Sequence, residues 1–196
     1  SADIYIKGYS THPGSAKNRM RNAIRIAFEL DSMLPMDERP ENTEGHEGFY
    51  HVDGIRGTVE HTEIGYILRD HDYAKLEQKI EKVKEVAAKL NEKYGAGTVT
   101  ADIKHTYDNM EKALRPYPQL MKYAEQAVKA AGGEVIKVAV RGGTDGSRLS
   151  YMGLPCPNLG AGGYVAHSTK EFACCEEMES ASDMLVKLAE LFAVNH

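Results

Sequence analysis

The sequence predicts a mixed α/β (α+β) protein: a ferredoxin-like βαββαβ module with an antiparallel sheet over residues 1–110, followed by an incomplete α/β segment over residues 111–196. Three observations carry this. DIYIKGY, GFYHVDG, GTVEHTEIGYILRD and TVTADIKHTY alternate apolar and polar residues, the two-residue period of strands. Two stretches among them repeat apolar residues every three or four positions, the period of a helix with one buried face. After Met110 only two strand-like runs remain, fewer than a doubly wound sheet needs.

DIYIKGY is the first strand, and STHPG turns the chain. Pro13 and Ser15 suit a helix start, and Met20, Ala23, Ile24, Ala27 and Phe28 supply its apolar stripe. That helix must stop before Pro35, and PMDERPENTEGHE is a polar loop with two prolines. The next two strands are separated by a short break around Gly54 to Gly57, which reads as a hairpin. Asp70 or Asp72 can cap a second helix whose buried face is Leu76, Ile80, Val83, Ala87 and Leu90. It ends at Tyr94-Gly95, with glycine in the C-capping place, and TVTADIKHTY closes the module as its fourth strand. The order β-α-β-β-α-β places both helices on one face of the sheet and leaves an edge strand open to a second copy, so a homodimer is expected.

Beyond Met110, PQLMKYAEQAVKAAGG predicts a helix closed by Gly132-Gly133, and EVIKVAV a strand. SRLSYMG predicts a short helix, CPNLGAGG a short strand running into a glycine loop, and EEMESASDMLVKLAELFAV a long amphipathic helix.

Composition narrows the function classes. The chain has 196 residues, 42% hydrophobic and 27% charged, with a net charge of −5. No basic patch dominates, which argues against nucleic-acid binding. No apolar run approaches the ~18 residues of a membrane span. No secretory pattern is read, and the opening SADIYIKG, strand-like and without methionine, has the look of a cut start. Cys156, Cys174 and Cys175 show no disulfide-framework spacing, and neighbouring Cys174 and Cys175 cannot readily pair, so a cytoplasmic location is expected.

The stretch RGGTDGSRLS is the densest candidate for chemistry. It is neither a P-loop nor a dinucleotide fingerprint. Its glycines fit either a tight turn or a strand end where a ligand approaches the backbone, and Arg141 offers a planar fork suited to a carboxylate or phosphate. His12, in STHPG, is either a turn histidine or a donor to an oxyanion or a metal ligand. His167 and Glu171 lie four apart and could chelate only from a helix. Asp70, His71 and Asp72 look like a metal cluster, but their place at a helix start makes capping the better account.

The blocks GYSTHPGSAKNRMRNAI, TEGHEGFYHV, YILRDHD, TYDNM, RGGTDGSRLSYMGLPCPN and GGYVAHSTKEF, in this order, resemble the peptidase T family of tripeptide aminopeptidases, among the di-zinc metallopeptidases related to carboxypeptidase G. The resemblance covers essentially the whole chain. It implies that residues 1–110 are the ferredoxin-like lid and dimerisation domain, and that residues 111–196 are the C-terminal part of the catalytic domain. The N-terminal part, which holds nearly all ligands of the two zinc ions, would lie outside these residues. Among the family's metal ligands it matches His167 alone. His12 matches the lid histidine that reaches the partner subunit's site and stabilises the oxyanion. Arg141 and Asn109 match residues that bind the short peptide substrate.

The chain departs from the family pattern at Asp108, at Leu159-Gly160-Ala161 and at Ser168, positions that the resemblance places at the pocket lining. Two functions are therefore expected to compete: part of a zinc aminopeptidase acting on tripeptides, inactive as these residues alone, or a stand-alone, non-catalytic dimerisation or ligand-binding module.

Overall fold

The computed structural model describes residues 1–105 and 109–194. They form two compact units, Ser1–Thr106 with Ala139–Gly142, and Tyr107–Val138 with Gly143–His196.

The first unit is a four-stranded antiparallel sheet carrying two helices. Its strands are β1 (Ala2–Lys7), β2 (Phe49–Gly57), β3 (His61–Arg69) and β4 (Val99–Ile103), in the order β2-β3-β1-β4. Alternation in β1 buries Ala2, Ile4 and Ile6, and alternation in β3 buries Thr62, Ile64, Tyr66 and Leu68. On these faces lie helix α1 (Ala23–Ser32), through Ala23, Ile26, Ala27 and Leu30, and helix α2 (Tyr73–Tyr94), through Val83, Val86, Ala87 and Leu90. Each of the larger apolar side chains contributes about 1.5–3 kcal/mol on burial, so this two-layer core holds the unit together. The expected topology is the one observed, and the open edges are β2 and β4.

Four details differ from the sequence expectation. Helix α1 does not start at Pro13. Pro13–Ser15 makes a single 3-10 turn, Asn18 takes a left-handed φ of 58°, and Tyr9 and Arg21 form an antiparallel bridge. That bridge commits the Arg21 backbone, so the helix waits for Asn22, whose side chain accepts from the Ile24 and Arg25 N–H groups. Phe28, expected on the buried stripe, is exposed.

The hairpin turn also falls later than Gly54 to Gly57. Strand β2 runs through those glycines, and the chain reverses after Gly57. The register shifts between Val52 and Gly54, a bulge, and a Cβ on Gly57 would stand 2.3 Å from Thr62 Oγ1. These glycines serve strand pairing rather than the turn. The fourth strand ends at Ile103; Lys104 and His105, also expected in it, are not strand, and Thr106 and Tyr107 lie outside the described residues.

The second unit contains helices α3 (Glu111–Leu114), α4 (Pro118–Ala130), α5 (Asp145–Tyr151) and α6 (Cys175–Val194) and a two-stranded hairpin, β5 (Gly163–Tyr164) with β6 (Phe172–Ala173). Helices α4 and α6 pack with Tyr123 edge-on to Phe192, ring centroids 4.9 Å apart, over Ala124, Ala127 and Met184. EVIKVAV is not a strand. Ile136 and Val138 are 75% and 76% exposed, and no strand pairs with this run among the described residues. A strand exists only with a hydrogen-bonded neighbour, and alternation alone cannot supply one. The strand expected in CPNLGAGG is likewise displaced to Gly163–Tyr164.

Candidate functional site

Arg141 sits at the centre of a built polar nest in the first unit. Its Nη1 donates to the Thr43 carbonyl at 2.8 Å, and its Nη2 donates to Thr43 Oγ1 at 2.6 Å and to the Glu47 carbonyl at 3.0 Å. The guanidinium carbon lies 5.0 Å from the centre of the Phe49 ring, a cation–π contact. Its Nε is buried and has no acceptor among the described residues. The blocks TEGHEGFYHV and RGGTDGSRLSYMGLPCPN thus meet through the Arg141 side chain.

The loop that holds Arg141 is itself held. Thr43 Oγ1 donates to the Arg39 carbonyl at 3.0 Å, and Arg39 Nη2 donates to Asp31 Oδ2 at 2.6 Å. Lys79, almost fully buried on α2, reaches Glu38 of the loop and lies 3.7 Å from Asp70 and 4.9 Å from the centre of the Tyr50 ring. Burial pushes the Lys79 ammonium below its usual pKa, opposed by the charge of Asp37. Burial and the nearby Asp70 push the Tyr50 phenol up to about 12.

Gly146 of RGGTDGSRLS serves the chain itself. A Cβ on Gly146 would stand 2.6 Å from the Cys156 carbonyl and 2.8 Å from Asn158 Oδ1. Thr144 Oγ1 accepts from Ser147 N–H at 3.2 Å and from Asn158 Nδ2 at 3.2 Å, and the Ser150 hydroxyl accepts from Cys156 N–H at 2.9 Å. The block folds back on its own CPN end, so the close approach is backbone to backbone rather than ligand to backbone.

His12 is exposed in the turn before Pro13. Its Nδ1 accepts from Gly14 N–H at 3.1 Å. In the neutral ring that bond leaves the proton on Nε2, so the outward nitrogen is a donor.

In the second unit, Asn109 is exposed, and its Oδ1 accepts from Glu111 N–H at 2.9 Å. Its carbonyl accepts from the Tyr151 hydroxyl at 2.8 Å. His167 stands at the tip of the β5–β6 hairpin with a left-handed φ of 66°, next but one to Val165 with a φ of 52°. Such a backbone costs a non-glycine residue roughly 1 kcal/mol or more. It is held by Glu171 Oε2, which accepts from His167 N–H at 2.8 Å, and below it Tyr164 stacks on Phe172 with centroids 5.1 Å apart. The His167–Glu171 pair is not on a helix, and Glu171 accepts from the backbone of His167. Asp72 caps α2 through Ala74 N–H at 2.8 Å, and Asp70 is taken by Lys79.

His12 and Arg141 therefore belong to one unit, and Asn109 and His167 to the other. No described hydrogen bond joins the members of either pair. Among the described residues no group of three His, Cys, Asp or Glu side chains could hold a metal ion. Cys156, Cys174 and Cys175 are free thiols. Sequence reasoning missed Thr43, Glu47 and Phe49 as the holders of Arg141. The only signal was that TEGHEGF is an unusual block with no assigned role.

Residues 1–95 match the family described as a peptidase dimerisation domain. Over 192 residues the chain is 46% identical to the peptidase T of Caldanaerobacter subterraneus subsp. tengcongensis, covering 98% of this chain and 47% of that protein. It superposes on a tripeptidase from Staphylococcus aureus with a TM-score of 0.76 at 18% identity, covering 99% of this chain and 51% of that one. It also superposes on a Bacillus subtilis protein described as a dinuclear metal binding peptidase of the M20 family, with a TM-score of 0.60 at 17% identity, covering all of this chain and 50% of that one. The chain spans about half the length of the curated relatives it matches.

Proposed function

We propose, from a chain whose residues 1–95 match the peptidase dimerisation family and which is 46% identical along nearly its whole length to part of a peptidase T, that these residues are the lid and the C-terminal catalytic segment of a zinc-dependent aminopeptidase removing the N-terminal residue of short peptides. The observation that carries the reading is the 46% identity over 98% of the chain.

The side chains support distinct roles. His12, with its proton on the outward Nε2, donates to the oxygen that becomes negative when water adds to the scissile carbonyl. Arg141, fixed by Thr43 and Phe49, takes the free carboxylate of the peptide, and Asn109 adds a polar contact to substrate. His167 offers one neutral nitrogen to a metal, and the remaining ligands must come from elsewhere in a natural-length protein. The metal would supply polarisation of the carbonyl and an activated water.

The dimerisation family of the first unit supports a homodimer, with the open β2 and β4 edges as pairing surfaces. No helix of the described residues is long and apolar enough to cross a membrane. The free cysteines fit a reducing, cytoplasmic setting.

The test is turnover of a tripeptide. A natural-length chain should hydrolyse it with added zinc and lose activity with a chelator, whereas residues 1–196 alone should bind little zinc and show no turnover. Chelator-sensitive hydrolysis by the 196 residues alone, or inactivity of the zinc-loaded natural-length chain on every short peptide, would sink the reading. The second outcome would favour a non-catalytic dimerisation module.

A further inference from the structure

The grip on Arg141 is more elaborate than an exposed arginine needs. Both terminal nitrogens are engaged at once, and the Thr43 residue supplies two of the three acceptors. The Thr43 hydroxyl has its own proton committed to the Arg39 carbonyl at 3.0 Å, so a lone pair is what it can turn to Arg141. Behind it, Arg39 is anchored on Asp31 at 2.6 Å, and Asp31 accepts from the hydroxyl of the core residue Tyr66 at 3.0 Å. A continuous polar chain thus runs from the sheet core to the guanidinium.

Two consequences follow. A long, rotamer-rich side chain has its freedom removed before any ligand arrives, which lowers the entropic cost of binding. And with Nη2 donating twice and Nε buried, the second Nη1 proton is the one left uncommitted among the described residues.

We propose that Thr43 is a positioning residue, holding Arg141 in the orientation from which it recognises the free carboxylate of a short peptide. This rests on the reading of Arg141 as the carboxylate-binding residue. Thr43 does not touch the substrate and acts through Arg141 alone, so its effect is confined to substrates that carry that carboxylate.

The experiment uses the zinc-loaded natural-length protein and two substrates, a tripeptide and its C-terminal amide. Thr43→Val keeps the shape of the side chain and removes the hydroxyl. It should raise KM for the free acid about tenfold, the scale of one lost charge-assisted hydrogen bond, with kcat and the amide kinetics nearly unchanged. Thr43→Ser should restore the wild-type KM. If Thr43→Val does not fold, Thr43→Ala must give the same acid-selective rise. A threonine variant that affects acid and amide alike, or neither, overturns the Thr43 proposal. Arg141→Met separates the two levels of the argument. If it loses acid-over-amide discrimination while Thr43→Val keeps it, only the role of Thr43 fails. If Arg141→Met itself leaves discrimination intact, Arg141 is not the carboxylate residue, and the positioning role falls with it.

Discussion

The hydroxyl of Tyr66, at the centre of the sheet core, donates to Asp31 Oδ1 at 3.0 Å, while Asp31 Oδ2 accepts from Arg39 Nη2 at 2.6 Å. One carboxylate on α1 therefore joins the apolar core to the loop of residues 35–47. Burial and Asp31 together hold the Tyr66 phenol far above its usual pKa, so it serves only as a neutral donor. Removing the acceptor should cost more than removing the donor, because a buried hydroxyl left without a partner keeps its full desolvation penalty. Asp31→Ala should destabilise the chain by about 2–3 kcal/mol and Tyr66→Phe by about 1 kcal/mol. Urea unfolding of both variants measures this, and a larger loss for Tyr66→Phe would contradict it.

Glu29 gives the chain a pH response of known sign. Hydrogen bonds from Lys93 Nζ and from the Tyr94 hydroxyl, both 2.7 Å, hold its carboxyl below the ordinary value of 4.5. A depressed carboxyl contributes stability above its unfolded pKa and loses it as the pH falls through the folded one. The tie between α1 and the end of α2 should therefore be fully present above pH 4.5 and weaken only on further acidification. Titration of the Glu29 carboxyl by NMR should show the low value, and Lys93→Ala should move it up. A Glu29 value unchanged by Lys93→Ala would refute this account.

Gly146 and Gly142 share one motif and should differ sharply in tolerance. A methyl on Gly146 would meet the Cys156 carbonyl at 2.6 Å, a backbone atom that cannot swing aside, whereas nothing lies within 4 Å of the same methyl on Gly142. Gly146→Ala should cost about 2 kcal/mol or more through forced displacement of the CPN segment, and Gly142→Ala should be near neutral. Thermal unfolding of the two variants distinguishes them, and equal midpoints would remove the packing explanation for this glycine.

Much of the first unit was legible in sequence because its signals are local. Alternation in β1 and β3 and the stripe of α2 name the residues that are buried. What was misread depends on distant partners. Gly54 and Gly57 look like turn residues until Thr62 and the bulge are seen beside them. Ile136 and Val138 alternate like a strand, yet a strand is defined by its neighbour, and none pairs with this run among the described residues. The same holds at the site. Arg141 stood out by its glycine-rich setting, but its holders, Thr43 and Glu47, lie 98 and 94 residues earlier in the chain. No local pattern can announce a contact of that span.

His12 permits a test of mechanism that begins before any substrate is added. Its Nδ1 accepts from Gly14 N–H at 3.1 Å, so the neutral ring must carry its proton on Nε2. Long-range nitrogen–proton correlation spectra should show that tautomer, and a ring with its proton on Nδ1 would break the argument at its first step. If the outward Nε2–H supports an oxyanion, its loss should act on the transition state and not on binding. In the zinc-loaded natural-length protein, His12→Ala should lower kcat about 10²–10³-fold with KM little changed, the usual scale for one lost oxyanion donor. A rise in KM at constant kcat would instead assign His12 to ground-state binding. Paired with the acid-selective KM effect expected at Arg141, the two variants separate grip on the substrate from stabilisation of the reaction it undergoes.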